Sequence, residues 1–507
     1  MKFFGSKRHE HAGEGQHLER KPSPDTDGRI TFRACFMGLV ASMGGMIFGY
    51  SSGQVSGYFM MKDYGERFGV PNGDGTYNFS AARQGTITGL LSIGCLFGSL
   101  VAGNLCDSIG RRKTISISAL WTCVGTIIEV ASQHAWYQHA IGRLVTGLGV
   151  GALSVAVPMY QSESAPAIIR GLIVSCYQLF VTLGIWCAEM VNWGTNHYDG
   201  SASWRIPNAL NFLWALLLGV GILLLPESPR FAYRKGKVEE ARKTIANLAG
   251  LDINSPSVNR QIDDIREKLE EEQALPETRL AGQQLTGINF FFYFGTTVFA
   301  STGLKDSYVT QLILGSVNCA CTFGGLYVVQ KCGRRKSLMI GAAWMMMCFF
   351  IYAFVGHFAL DRQDPLSTPA AGAVLVTFSC LAIAAFATTW GPLVWAVVAE
   401  MYPSQYRSRC MAIATATNWL FNFLIGFFTR FITDAIDYFY GLVYAGCCAA
   451  LVAIVFFFVI ESKDRTLEEI DTMYVQHVNP ITSSKWVGEP HGTKHAREGV
   501  TDEEASS

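Results

Sequence analysis

The chain has 507 residues, 50% of them hydrophobic and only 16% charged, with a mean hydropathy of +0.24. A soluble domain carries about 25% charged residues, so this composition excludes an ordinary soluble globular protein. Lysine plus arginine and aspartate plus glutamate balance at 40 each, which leaves no basic excess for nucleic acid.

Residues 1–33 are polar and read as a disordered cytoplasmic tail with no cleavable signal. Apolar runs long enough to cross the hydrocarbon as helices follow near 34–56, 84–105, 114–133, 138–160, 171–192 and 206–225. A second set lies near 280–302, 308–329, 338–359, 373–400, 410–433 and 439–460. The expected fold is an all-α membrane protein of about twelve transmembrane helices, spans 1 to 12, in two six-helix halves (34–229 and 280–460). A charged stretch, 230–279, parts the halves, and 461–507 is a second tail. Helical spacing from Val238 to Leu275 predicts amphipathic linker helices under the bundle. The 14 cysteines form no metal-like cluster and read as small core residues, and no cofactor is expected.

Arg111-Arg112-Lys113, Arg170, Lys331 with Arg334-Arg335-Lys336, and Arg407 with Arg409 all fall at one end of the predicted spans. The positive-inside rule makes that end cytoplasmic, together with both termini. Asn78-Phe79-Ser80 then lies in the first outer loop as a permitted N-glycosylation acceptor. Gly103 to Arg112 joins spans 2 and 3, and Gln330 to Arg335 joins spans 8 and 9 at the equivalent place. Two such copies indicate repeat architecture, which in transporters puts the substrate at the interface of the halves near the midplane.

Span 7 opens on Gln283-Gln284-Leu285-Thr286-Gly287-Ile288-Asn289, followed by Phe290-Phe291-Phe292-Tyr293. Carboxamides in hydrocarbon need partners, so they face other helices or a wet cavity. One alone reads as interhelical glue. Three together, beside a glycine that lets another backbone or ligand come close, read as a binding wall.

GxxxDxxGRR at Gly103 to Arg112 resembles the loop signature of the major facilitator superfamily. Gly142-Arg143, Pro158-x-Tyr160-x-x-Glu163 and Arg170-Gly171 resemble the fourth-span signature of its sugar porter family. Pro226-Glu227-Ser228-Pro229-Arg230, Gln283 to Asn289, Trp390-Gly391-Pro392 with Trp395 and Glu400, and the ending from Glu461 to Glu469 complete the set. The likeness runs from about Gly38 to Asp471, and the tail with Ser483-Ser484-Lys485-Trp486 is similar to fungal-type monosaccharide transporters. The resemblance implies a sugar site made by Gln178, Gln283, Gln284, Asn289, Asn318, Trp395 and Asn418, with Tyr293 and Trp390 as lid and wall aromatics. Carboxamides match the hydroxyls of a hexose and an indole matches its apolar face. A site without carboxylates suits a neutral sugar. The resemblance also implies an inner-gate charge network of Asp107, Arg111, Glu163, Arg170, Glu227, Arg230, Arg334, Glu400, Arg407 and Glu461, weaker in the second half, where Gln330 stands for an acid.

Three departures qualify that picture. Ser51 stands where proton-coupled relatives carry Asp and cannot titrate near neutral pH, which favours facilitated diffusion. Glu129 and Glu189 are the span carboxylates that can substitute, although span-end acids snorkelling outward are the expectation. Arg430 stands where the family usually shows Pro and must snorkel or pair. Finally, Gln283 follows Arg279 by only four residues, a lead-in of about 6 Å where a midplane site needs about 15 Å. Either the central stretch is drawn into the membrane, or span 7 is displaced, or a segment is absent. The chain reads as a plasma-membrane hexose carrier sufficient as a monomer. A sugar sensor and a non-functional variant lacking part of span 7 are the alternatives. No nucleophile–base pair or metal spacing suggests an enzyme.

Overall fold

The structure is a computed structural model that describes residues 31–72, 77–166, 169–270, 281–293, 307–361, 368–401, 407–461, 473 and 478–486. Span 1 is α1 (Phe32–Tyr58), so the helix begins inside the stretch expected to be disordered. Its first turn is capped by Thr31, whose hydroxyl accepts from the Ala34 N–H. A loop helix, α2 (Lys62–Phe68), and a short antiparallel hairpin pairing Val70 with Asn78 lead to span 2, α3 (Ala81–Ile109). Spans 3 to 5 are α4 (Arg111–Val130), α5 (Trp136–Ser164) and α6 (Arg170–Thr195). Span 6 is divided into α7 (Ala202–Ala209) and α8 (Asn211–Gly221).

The linker folds as α9 (Pro229–Arg234), α10 (Val238–Ala249) and α11 (Pro256–Glu270). Their apolar faces bury Ala241, Ile245, Val258 and Ile262 against one another, as the helical spacing predicts. Span 7 is described as α12 (Ala281–Leu285) and α13 (288–293), and its lead-in, 271–280, lies outside the described residues. The second half continues with α14 (Ser307–Lys331), α15 (Arg334–Phe358), α16 (Pro369–Thr388), α17 (Trp390–Met401), α18 (Arg407–Ile436) and α19 (Tyr440–Phe458).

Among the described residues, ten helical segments are long and apolar enough to cross a membrane. The last of them, Ser408–Phe458, holds both α18 and α19, so together they cover every predicted span except the seventh.

Small residues let these helices touch backbone to backbone, as packing in lipid requires. A Cβ added at Gly49 of α1 would lie 1.9 Å from the Val181 carbonyl oxygen of α6, and one at Gly98 of α3 would lie 2.1 Å from that of Leu148 in α5. The halves meet along α3 and α18, where a Cβ at Gly85 would approach the Phe427 carbonyl at 2.9 Å and one at Gly103 the Ser408 carbonyl at 2.8 Å. They also meet along α6 and α14, where the Trp186 indole donates to Ser316 Oγ at 2.9 Å.

Glu129 and Glu189 do not snorkel. They are 1% and 4% exposed, turned into the bundle because Gly142 and Gly315 on the facing helices leave room for their side chains. Arg430 pairs along its own helix with Asp434 at 3.4 Å, both side chains partly exposed, so the guanidinium is answered locally. None of the 14 cysteines is joined in a disulfide.

Replacing Gly49 by Leu should separate α1 from α6 at a cost of about 3 kcal/mol or more. The check is a lower melting temperature, or loss of monodisperse protein in detergent.

Candidate functional site

A chamber lined by residues of both halves lies between them. Gln178 of α6 lines it from the first half, and Gln283, Gln284, Asn289, Asn318, Trp395 and Asn418 line it from the second. Tyr293 is also in its wall, and among the described residues no lining side chain is charged. The seven residues expected to form a sugar site therefore surround one space.

The shape of span 7 explains how its three carboxamides share that space. In an unbroken helix, Gln284 and Asn289 would point about 140° apart. Here α12 stops at Leu285, and Gly287 turns the chain through φ +76°, a conformation glycine adopts without strain. The Tyr444 ring of α19 lies directly over this glycine, and a Cβ there would meet its Cδ1 at 2.2 Å. Helix resumes in α13, and Asn289 Nδ2 now donates to Gln284 Oε1 at 2.5 Å. Gln283 Nε2 donates to the carbonyls of Trp390 and Gly391, both at 3.3 Å, across the break between α16 and α17. The short lead-in has thus not carried these side chains away from the chamber.

Trp395 stands edge-to-face against Tyr177 of α6, with ring centroids 5.2 Å apart. Its Nε1, Asn318 Oδ1 and Asn418 Oδ1 are buried and make no hydrogen bond among the described residues. They are one donor and two acceptors on lining side chains, the complement of a polyol. Tyr293 donates to Asn422 Oδ1 at 2.5 Å, and Ser92 of the first half donates to the same oxygen at 3.1 Å. Trp390 does not line the chamber. Its Nε1 donates to the Leu338 carbonyl of α15 at 2.9 Å, because it sits at the break between α16 and α17 and is drawn to the neighbouring span.

Ser51 lies beside the chamber rather than in its wall. Its hydroxyl donates to Asn211 Oδ1 at 3.3 Å, and its carbonyl accepts from Arg143 at 3.3 Å. The neighbouring Ser52 lines the chamber instead.

At the basic end, Arg111 and Glu163 form a fully buried ion pair at 2.9 Å, and Arg111 also lies 3.5 Å from Asp107. Asp107 is the hub. It pairs with Arg234 of α9 at 3.0 Å and accepts from the Ser408 hydroxyl of α18, so it touches both the linker and the other half. The charge network expected from sequence included neither Arg234 nor Ser408.

Glu227 and Glu461 bond backbone N–H groups within their own halves. Glu227 accepts from the backbone N–H groups of Arg111 and Arg112 at 3.1 and 3.2 Å, and so caps α4. Glu461 does the same for Arg334 and Arg335 at 2.8 and 3.3 Å, and so caps α15. Burial raises the Glu227 carboxyl above its ordinary range, while the N–H groups of Ser228, Arg112 and Arg111 pull against that. Arg170 and Arg230 are half-buried at the same end. The side chains of Glu400, Arg407 and Gln330 lie outside the described residues.

The family described as "Sugar (and other) transporter" matches residues 37–474. The chain belongs to that family. Among curated relatives, the hexose transporter HXT10 of Saccharomyces cerevisiae is 42% identical over 472 residues, covering 89% of this chain and 86% of the relative. The low-affinity glucose transporter HXT4 of the same yeast is 39% identical over 516 residues, covering 96% and 88%. The galactose transporter of that yeast is 42% identical, covering 89% and 82%. Among solved structures, the proton:xylose symporter XylE bound to 6-bromo-6-deoxy-D-glucose superposes with a TM-score of 0.77 at 24% identity, covering 88% of this chain and all of that one. That likeness shows the fold, which is the major facilitator fold.

Replacing Gly287 by Val places a side chain against Tyr444 in a left-handed conformation, and should destabilise this sugar transporter by about 2–4 kcal/mol. A melting curve of the purified variant in detergent checks it, with Gly446→Val, which has nothing within 4 Å of an added Cβ, as the neutral control.

Proposed function

We propose that this chain carries a neutral monosaccharide, a glucose-like hexose, across the plasma membrane by alternating access. The observation that carries this reading is the uncharged chamber between the halves, with an indole N–H and two carboxamide oxygens left unpartnered on its lining side chains. Names of the relatives agree in substrate class. Gln178, Gln283, Gln284, Asn289, Asn318 and Asn418 bond the sugar hydroxyls, Trp395 stacks on the ring, and Tyr293 closes over it from the side of Asn422 and Ser92. The basic end faces the cytoplasm, with both termini.

The contact between Asp107 and Ser408 is the point where the first half and its linker hold the second half in this conformation. Rocking of the halves breaks it and opens the chamber to the basic side. Ser51 supplies no group that changes charge, so the carrier works by facilitated diffusion.

Uptake of labelled glucose by a host without hexose carriers tests this reading, and absence of saturable uptake ends it. Gln178→Ala and Asn318→Ala should each raise KM about tenfold, the equivalent of one lost hydrogen bond of about 1.4 kcal/mol. A protonophore should leave the initial rate unchanged and abolish no accumulation above the outside level.

A further inference from the structure

Glu189 is a carboxylate buried at the seam between the halves, and nothing so far gives it a task. Its Oε1 accepts from Gln311 Nε2 of α14 at 3.1 Å, and its Oε2 has no hydrogen-bond partner among the described residues. The room for it is made by Gly315, one turn along α14, where a Cβ would lie 1.7 Å from Oε2. Gln311 Oε1 is likewise without a donor, while Gln311 Nε2 also reaches the Phe291 carbonyl of α13 at 3.3 Å. The pair thus holds two oxygens and lacks a hydrogen. Ile185, one turn before Glu189, and Asn318, one turn beyond Gly315, both line the chamber, so the carboxyl sits just outside its wall.

Among the described residues, no cation answers it. Besides their arginines and lysines, the ionisable groups on the three helices are Cys35, Tyr50 and Tyr58 of α1, Tyr308, Cys319, Cys321 and Tyr327 of α14, and Cys176, Tyr177 and Cys187 of α6 itself, all tyrosines and cysteines that are neutral near pH 7 in their ordinary ranges. The arginines and lysines of these three helices, Arg33, Lys331 and Arg170, stand at the basic end. In α7, Arg205 is turned to the Ser132 carbonyl, and in α5, Arg143 is turned to that of Ser51. A charged carboxylate sealed here would be uncompensated, at a cost of several kcal/mol.

We propose that Glu189 is a proton-binding site at this seam. It holds a proton while α6 and α14 are closed over it and releases it to the outer solution when they part. The proton bonds to the carboxyl oxygen on closure, coming from outer water, and returns to the same water on opening, so no net proton crosses. The reading rests on the carrier described above, with its basic end cytoplasmic. It adds a sensitivity to outer pH that Ser51 cannot supply.

Initial glucose uptake should fall about threefold to tenfold as outer pH rises from about 5 to about 8, and Glu189→Gln should remove that dependence while still transporting. A flat wild-type curve, or the same fall in both proteins, overturns the site. No uptake at any pH counts against the carrier instead, and thermal unfolding then decides the site by itself. The fold favours the protonated form, so its contribution is full at low pH and lost as pH rises. The melting temperature of the wild type relative to Glu189→Gln should therefore drop over that range, and a constant difference overturns the proposal.

Discussion

Hydrocarbon offers polar side chains no water, so a binding wall in a membrane must face inward, and carboxamides that fall on different faces of one helix can share it only where the backbone bends. In this protein that bend is the turn at Gly287. An unbroken seventh span would scatter its carboxamides around the helix and leave one of them towards lipid or a packed neighbour. The break turns Asn289 back onto Gln284 and frees Gln283 to reach the carbonyls of Trp390 and Gly391. Tyr444 holds the turn by lying against the glycine, and its hydroxyl is in turn fixed on Tyr440 at 2.7 Å. The chamber is therefore shaped from span 12 as much as from the residues that line it.

Around the chamber, two kinds of contact divide the work. Within the first half, helices meet through glycines so closely that their backbones are in van der Waals contact, which makes that half stiff. Between the halves, contacts include single hydrogen bonds, such as Ser92 with Asn422, Trp186 with Ser316 and Asp107 with Ser408. The halves also meet at Gly85 and Gly103, but less closely: an added Cβ there would lie 2.9 and 2.8 Å from the facing carbonyls, against 1.9 and 2.1 Å at Gly49 and Gly98. That contrast fits the alternating access proposed above.

Much of this was legible in the chain itself. Hydropathy marked the spans, and the resemblance to the sugar porter pattern marked Gln178, Asn318 and Trp395, which one by one would read as interhelical glue or core packing. What escaped was set by distant partners. Trp390 looks like any wall aromatic until Leu338 of another span takes its N–H. Glu189 looks like a span-end acid because the space that buries it is the absence of a side chain at Gly315, and an absence 126 positions away has no local signature. Asp107 sits in a recognisable motif, yet its partners Arg234 and Ser408 come from the linker and the other half. Glu227 and Glu461 were marked as charges, but only the coordinates distinguish a carboxylate aimed at arginine side chains from one aimed at helix N–H groups.

That last distinction bears on biogenesis. Each cap is supplied by a residue just after the final span of its own half, and it seals the third span of that same half. The last segment to leave the ribosome for the first half is thus the one that locks it. Residues 34–229 can complete their assembly in the bilayer before any of the second half has been synthesised, and the second half then docks onto a finished surface instead of a nascent one.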